Sequence, residues 1–310
     1  MVPYIVRRLL QAVGVVIAAT MLLFVVLFQL GDPFASNGDK VVPPEVQAAL
    51  REKFGMDQSL PMQYLNYLGG LLTGNLGIDF EQRRDVTELI GAALPGTLRL
   101  AAVAIVIDIL IGVTAGVIAA VWRYSFWDTL VTILSTLAIG VPSFVIAVAL
   151  RANLSGEWIF PMVPRPFTEE VPWYLEVLLP AFTLAIIDAA FIARLMRGSM
   201  LEVLRADYIR TARAKGLSEH RVVLRHALRN SVIPVVTYVG ISLGVFMGGA
   251  IITEAIFQYR GVGFLTAQAI SQNNNPVIMA IATFAVVTFV VLSLIVDIIY
   301  ASLDPRIRLE

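Results

Sequence analysis

The 310-residue sequence contains no cysteine, which excludes disulfides and thiolate metal sites. It has two histidines, His220 and His226, in one polar stretch. They do not form the two-histidine-plus-acid pattern of a zinc hydrolase. Charge is scarce: 15% of residues are charged and the formal net charge is zero, so nothing points to a nucleic-acid partner. No Gly-x-x-x-x-Gly-Lys-Ser/Thr loop occurs, so the chain lacks that route to ATP hydrolysis. There is also no Ser/His/Asp or paired-carboxylate hydrolase pattern. What remains is apolar: 58% of residues are hydrophobic, which argues for an integral membrane protein.

One polar, basic stretch, Glu202 to Pro234, lies between two membrane-length apolar runs. Leu201 to Lys215 has no Pro or Gly and is rich in Ala, Arg and Leu, which predicts a helix. Gly216 suits the left-handed position that ends a helix. Ser218 can cap a second helix that runs to Asn230. Arg221, Arg225 and Arg229 recur every fourth residue and form one basic stripe, while Val223, Leu224, Ala227 and Leu228 can pack. Two short helices joined by a tight turn against a membrane make a docking surface. The plain alternative is the ordinary excess of Lys and Arg in a cytoplasmic loop.

Taken in order, Leu9 to Leu30 is a first crossing, preceded by Arg7 and Arg8. The run continues past Ala18 and Ala19 to Gly31, so it reads as a retained helix rather than a cleaved signal. Residues 31–93 are mixed and polar. Pro44 to Phe54 predicts a short amphipathic helix, and Pro61 opens another with Tyr64, Leu68 and Leu72 on a stripe suited to the membrane surface. Thr97 to Trp122 is a second crossing. Its Gly112 and Gly116 offer a small-residue face. Phe126 to Arg151 is a third, bent at Pro142. Residues 152–174 are external. Leu175 to about Met196 is a fourth, continuing into the polar stretch. Val232 to Thr253 is a fifth, with Gly240, Gly244 and Gly248 every fourth residue. An external turn, EAIFQYRGVGFL, precedes a sixth crossing from Val277 to about Tyr300.

With an inside N-terminus, 14 of the 23 Lys and Arg fall on the cytoplasmic side, and five of the other nine sit in the long 31–93 insert. Both termini and the basic stretch are then cytoplasmic. Three carboxylates lie within crossings: Asp108, Asp188 and Asp297. A charge at such depth is costly, and marks either a water-filled path or a buried partner. A packing hydrogen bond is the plainer role for Asp108 and Asp188. For Asp297, near the inner interface, a structural role is favoured.

TARAKG, followed by LSEHRVVLRHALRNSVIP, resembles the cytoplasmic coupling segment of the dipeptide/oligopeptide branch of ABC-transporter permeases. Arg210, Thr211 and Ala212 stand where the generic importer signature has Glu-Ala-Ala, and the gap from Gly216 to Pro234 is longer. RRLL at the start, FGMDQSLPMQYL with GGLLTGNLG, EAIFQYRGVGFL and the terminal DPRIR are similar to the same branch in the same order. Ser59 and Arg260 replace prolines usual there. The resemblance implies an all-α permease of the type I importer fold with six transmembrane helices. It would comprise a first segment 1–30, an extracytoplasmic insert 31–93 and a permease core 94–310 carrying the coupling segment 201–230.

The resemblance also implies a non-catalytic, multi-pass subunit of the bacterial inner membrane for peptide transport. ATP and Mg would be bound by two partner ATPases, not by this chain. Further partners would be a second, homologous permease and an extracytoplasmic binding protein. Coupling to the ATPases is expected through Arg210, Thr211, Ala212, Lys215, Gly216, Leu217, Ser218, Glu219, Arg221 and Arg225. Asp108 and Asp188 are expected on the translocation pathway, with Asp188 placed to meet a peptide's amino terminus. Other readings are an ion-coupled secondary transporter using Asp108 and Asp188, a non-transporting scaffold, and a permease for another solute such as a nickel complex.

Overall fold

The computed structural model describes residues 2–29, 58–79, 83–157, 160–161, 171–247 and 250–303. The expected helix Pro44–Phe54, Gly248, the side chain of Asp297 and the terminal DPRIR lie outside the described residues or side chains.

Among the described residues the regular elements are helices, apart from one isolated antiparallel bridge between Ile78 and Asp85. The helices are α1 (Val2–Gln29), α2 (Leu60–Thr73), α3 (Val86–Val121), α4 (Phe126–Gly140), α5 (Ser143–Leu154), α6 (Trp173–Val203), α7 (Asp207–Ala214), α8 (Glu219–Ser231), α9 (Ile233–Met247), α10 (Ile251–Phe257), α11 (Val262–Ser271) and α12 (Asn275–Leu303). Four of them, α1, α3, α6 and α12, are long and apolar enough to cross a membrane, and the number rises to six if the bent pairs α4–α5 and α8–α9 each make one span.

The expected bend at Pro142 is a break. α4 and α5 meet at 102°. Proline disfavours helical backbone in the residue before it, and Val141 is extended (φ −92°, ψ 129°). Proline also supplies no N–H, so the chain restarts a helix at Ser143 instead of curving through.

The second crossing starts earlier than expected, at Val86 rather than Thr97. Its first turns are held by tertiary packing: Val86 and Ile90 are buried with Val262 of α11 and with Val277, Ala280 and Ile281 of α12. At 36 residues α3 is about 54 Å long, so it projects well beyond a hydrocarbon layer of about 30 Å.

α3 and α6 form the most extensive helix pair. Glycine permits it. A Cβ on Gly112 would lie 2.6 Å from the Ile192 Cβ and 2.8 Å from the Ala189 carbonyl oxygen. One on Gly116 would lie 2.6 Å from both the Ala193 oxygen and the Met196 Cβ. On α9, Gly244 approaches the Phe289 ring of α12, at 3.1 Å from an added Cβ. Gly240 is half-buried on the same helix.

α2 is not merely a surface stripe. The Tyr64 hydroxyl is 3.0 Å from both the Ile17 carbonyl and the Thr20 hydroxyl of α1, and Tyr67 donates to Thr283 of α12 at 2.6 Å. Leu65 and Leu72 on its other side are exposed.

Candidate functional site

The basic stretch forms two helices folded back on α6. The predicted helix from Leu201 is interrupted: α6 ends at Val203, Ala206 is extended, and α7 begins at Asp207. α7 ends at Lys215, and Gly216 adopts φ +79°, the left-handed region where a side chain is strained. The Gly216 N–H donates to the Arg213 carbonyl and the Leu217 N–H to the Ala212 carbonyl, at 2.9 and 3.4 Å. This paired pattern closes the last turn of a helix. Arg213 grips the Glu219 carboxylate with two bonds, 2.7 and 3.2 Å, across the glycine. The joint is thus a tight turn stapled from both sides.

Ser218 occupies the cap position with extended backbone, but its hydroxyl makes no capping bond; its carbonyl accepts the Val222 N–H instead. α8 is not a uniform α-helix, because Val222–Ala227 widens to π-helical turns. That period stacks residues five apart, so Val222 and Ala227 share one face with Val223 beside them. All three are buried with Ile209, Ala212, Ile192, Met196 and Met200. The wider turn therefore serves burial. Leu224, expected to pack, is 47% exposed.

The arrangement has an inner and an outer face. Ala212 is buried and Leu217 half-buried, both against the α6 cluster. Arg210, Thr211, Lys215, Gly216, Ser218, Glu219, Arg221 and Arg225 are exposed, as is Arg229. Nothing within 4 Å would meet a Cβ on Gly216, so backbone conformation alone demands glycine there. Asn230 donates to the Tyr208 hydroxyl at 2.9 Å and ties α8 to α7. The whole stretch is rooted in α6, one of the helices long and apolar enough to cross a membrane.

Asp108 on α3 is fully buried, whereas Asp188 on α6 is partly exposed. Tyr238 of α9 donates to Asp188 Oδ1 at 3.0 Å and tilts against Phe191 with ring centroids 6.2 Å apart.

Three polar contacts were not visible in the sequence. Arg197 of α6 holds Asp128 of α4 with two bonds, 2.6 and 2.9 Å, and Asp128 also accepts the Tyr124 N–H. Arg194 donates to Ser135 and Thr136. At the outer end, EAIFQYRGVGFL is not a bare turn but α10, a short connection and α11. Glu254 is fully buried there, accepting the Thr97 hydroxyl at 2.8 Å and the Phe264 N–H at 2.9 Å, while Thr97 accepts the Val262 N–H. Burial pushes its carboxyl up from the ordinary range, against those donors. A Cβ on Gly96 would lie 2.2 Å from the Arg260 carbonyl oxygen, so α3 touches this connection. Stiffness comes from the buried carboxylate, with Arg260 in place of proline. Ser125–x–x–Asp128 had the spacing of a helix-capping pair and was the one local signal available.

The chain matches the family model described as the binding-protein-dependent transport system inner membrane component over residues 112–309, and the model of that component's N-terminal part over residues 1–101. It is 40% identical over 322 residues to a Brucella suis biovar 1 protein described as a peptide permease, covering 99% of each chain. It is 36% identical over 317 residues to the oligopeptide transport system permease protein AppB of Bacillus subtilis strain 168, covering 99% of this chain and 100% of AppB. It is 34% identical over 311 residues to the glutathione transport system permease protein GsiC of Escherichia coli K12, covering 99% of each. Among solved structures, it is similar to a chain of the MetNI methionine ABC transporter in an inward-facing conformation. The TM-score is 0.54 at 18% identity, covering 70% of this chain and 96% of that one, a likeness of fold.

Proposed function

This chain belongs to the family of binding-protein-dependent transport system inner membrane components, and from that premise we propose that its cargo is a di- or oligopeptide. As a member it is a non-catalytic, multi-pass permease subunit of an ABC importer in the inner membrane, with ATP hydrolysed on partner ATPase subunits. A binding protein delivers solute to such systems. The ion-coupled and scaffold readings give way to this one.

The peptide reading is supported by end-to-end similarity to relatives named for peptide, oligopeptide and glutathione transport. We assign the chain half of the pathway, completed by a second, homologous permease. The exposed face of α7 and α8, with Arg210, Thr211, Lys215, Arg221 and Arg225 around the Gly216 turn, takes the ATPase. One observation carries this: the face is polar and basic outside, while its underside is packed into α6 through Ile209, Ala212 and Val222. ATP binding draws the ATPases together, the island follows, and α6 carries the movement to the helices around Asp188. Hydrolysis resets it.

Asp188 lines the path and meets the cargo's amino terminus. The test is uptake by the complex reconstituted with its neighbouring genes' products in vesicles. Dipeptides, longer peptides, glutathione and a nickel complex are each offered with the binding protein. Uptake of a peptide class is expected, and Asp188→Ala lowers it without lowering ATP turnover. Uptake of the nickel complex alone would overturn the peptide reading, and unchanged uptake in Asp188→Ala would remove that residue from the path.

A further inference from the structure

Asp108, Asp188 and Tyr238 come from three different helices and converge inside the membrane-spanning part. The close approach of α3 and α6 explains the pairing: Gly112, one turn beyond Asp108, abuts Ala189 and Ile192, which follow Asp188. Asp108 is completely enclosed, and neither of its oxygens has a hydrogen-bond partner. Oδ2 of Asp188 is enclosed and equally without one, while Oδ1 accepts the Tyr238 hydroxyl. The Gly112 contact sets Asp108 and Asp188 on facing stretches of the packed α3 and α6.

No protein cation answers them among the described residues. On α3, Arg99 lies over the Trp173 ring, 5.7 Å from its centroid. On α6, Arg194 binds Ser135 and Thr136, Arg197 binds Asp128 of α4, and Glu176 and Glu202 lie towards the helix ends. On α5, Arg151 donates to the Ile256 carbonyl, and on α10 Glu254 is engaged with Thr97. Arg229 of α8 is exposed. α11 and the described side chains of α12 carry no ionisable group, and α9 carries only Tyr238. A carboxylate enclosed among apolar side chains with no counter-charge is costly, because it loses its hydration.

We propose that Asp108 and Asp188 form a proton-binding site within the membrane, holding one proton between them on Asp108. The placement follows from burial: Asp108 is completely enclosed, whereas Asp188 is partly exposed and accepts the Tyr238 hydroxyl. Binding is simple protonation, a carboxylate oxygen of Asp108 taking a proton from water and returning it when the site is wetted. The filled site lets α3, α6 and α9 close together. Stripping the proton leaves an unscreened charge where α3, α6 and α9 meet. This second part rests on the permease reading above; the proton site itself does not.

Infrared spectroscopy of the whole complex in lipid nanodiscs tests the site. At neutral pH the wild type shows a carbonyl-stretch band of a protonated carboxylic acid, distinct from any band of the buried Glu254, that is lost in Asp108→Asn and kept in Asp188→Asn. No such band in the wild type, or one that survives in Asp108→Asn and vanishes in Asp188→Asn, would overturn the assignment. In vesicles, peptide uptake per ATP hydrolysed falls on the alkaline side. It falls by about tenfold per pH unit once above the site's midpoint, as the protonated fraction does. The profile is flat in Asp108→Asn. An identical alkaline fall in that variant would sink the transport role. A band that behaves as described, without peptide uptake at any pH, would leave the proton site standing and count against the peptide reading.

Discussion

Gly216 shows what one residue can decide. The turn needs φ +79° and leaves open space where a Cβ would go, so a substitution acts through the backbone alone. A left-handed conformation costs an ordinary residue about 1–2 kcal/mol, and asparagine bears it best. Gly216→Asn therefore preserves the joint, while β-branched Gly216→Val shifts or softens it without preventing insertion. Gly112 and Gly116 fail for the opposite reason, since a side chain there meets α6 backbone at under 3 Å. Gly116→Val is expected to cost about 1–3 kcal/mol and to lower the unfolding temperature of the purified protein, read by differential scanning fluorimetry. An unchanged melting temperature would show that α3 and α6 do not need this contact. Gly216 was legible because a run of helix formers stops there. The partners of the buried polar groups were not: Asp128 and Arg197 are 69 residues apart, and Thr97 and Glu254 are 157 apart. A sequence shows a buried carboxylate only as a letter, and its donor depends on which helices meet.

At the scale of elements, local rules located the breaks better than they described them. Pro142 marked a bend, and the extended Val141 before it makes it a 102° change of direction. The predicted continuous helix from Leu201 stopped at Val203, because burying Ile209 and Ala212 against α6 requires the chain to turn back. The π-helical turns of α8 have the same origin, as no periodicity in Val222–Ala227 announces them. Tertiary burial outweighed propensity in both places. The outer connection between α10 and α11 depends on Glu254. Glu254→Ala would leave the Thr97 hydroxyl and the Phe264 amide without their acceptor, at about 1–3 kcal/mol. The expected readout is faster hydrogen exchange across residues 258–264 with α6 unaffected; exchange unchanged there would show that Glu254 does not hold the connection. Breaking Arg197 from Asp128 should free α4 from α6, because Asp128 is almost enclosed and loses its counter-charge. Arg197→Met is expected to destabilise more than the pair Arg197→Met with Asp128→Leu, compared by thermal unfolding. Equal losses would mean that the ion pair does not couple the two helices.

For the molecule as a whole, the topology was read from apolar run length and basic asymmetry, and the family from motifs spread from end to end. The geometry adds a mechanical path. The exposed basic face sits on α7 and α8, their undersides are buried against α6, and α6 packs along α3 through two glycines. These contacts run continuously from the exposed basic face through α6 to α3, which carries Asp108. The most direct test is the number of cargo molecules taken up per ATP hydrolysed by the reconstituted complex, measured for wild type, Gly216→Asn and Gly216→Val in one vesicle preparation series. The account predicts that Gly216→Asn keeps the wild-type ratio, while Gly216→Val continues to hydrolyse ATP with uptake lost. A wild-type ratio in Gly216→Val, with the protein inserted and assembled, would contradict it.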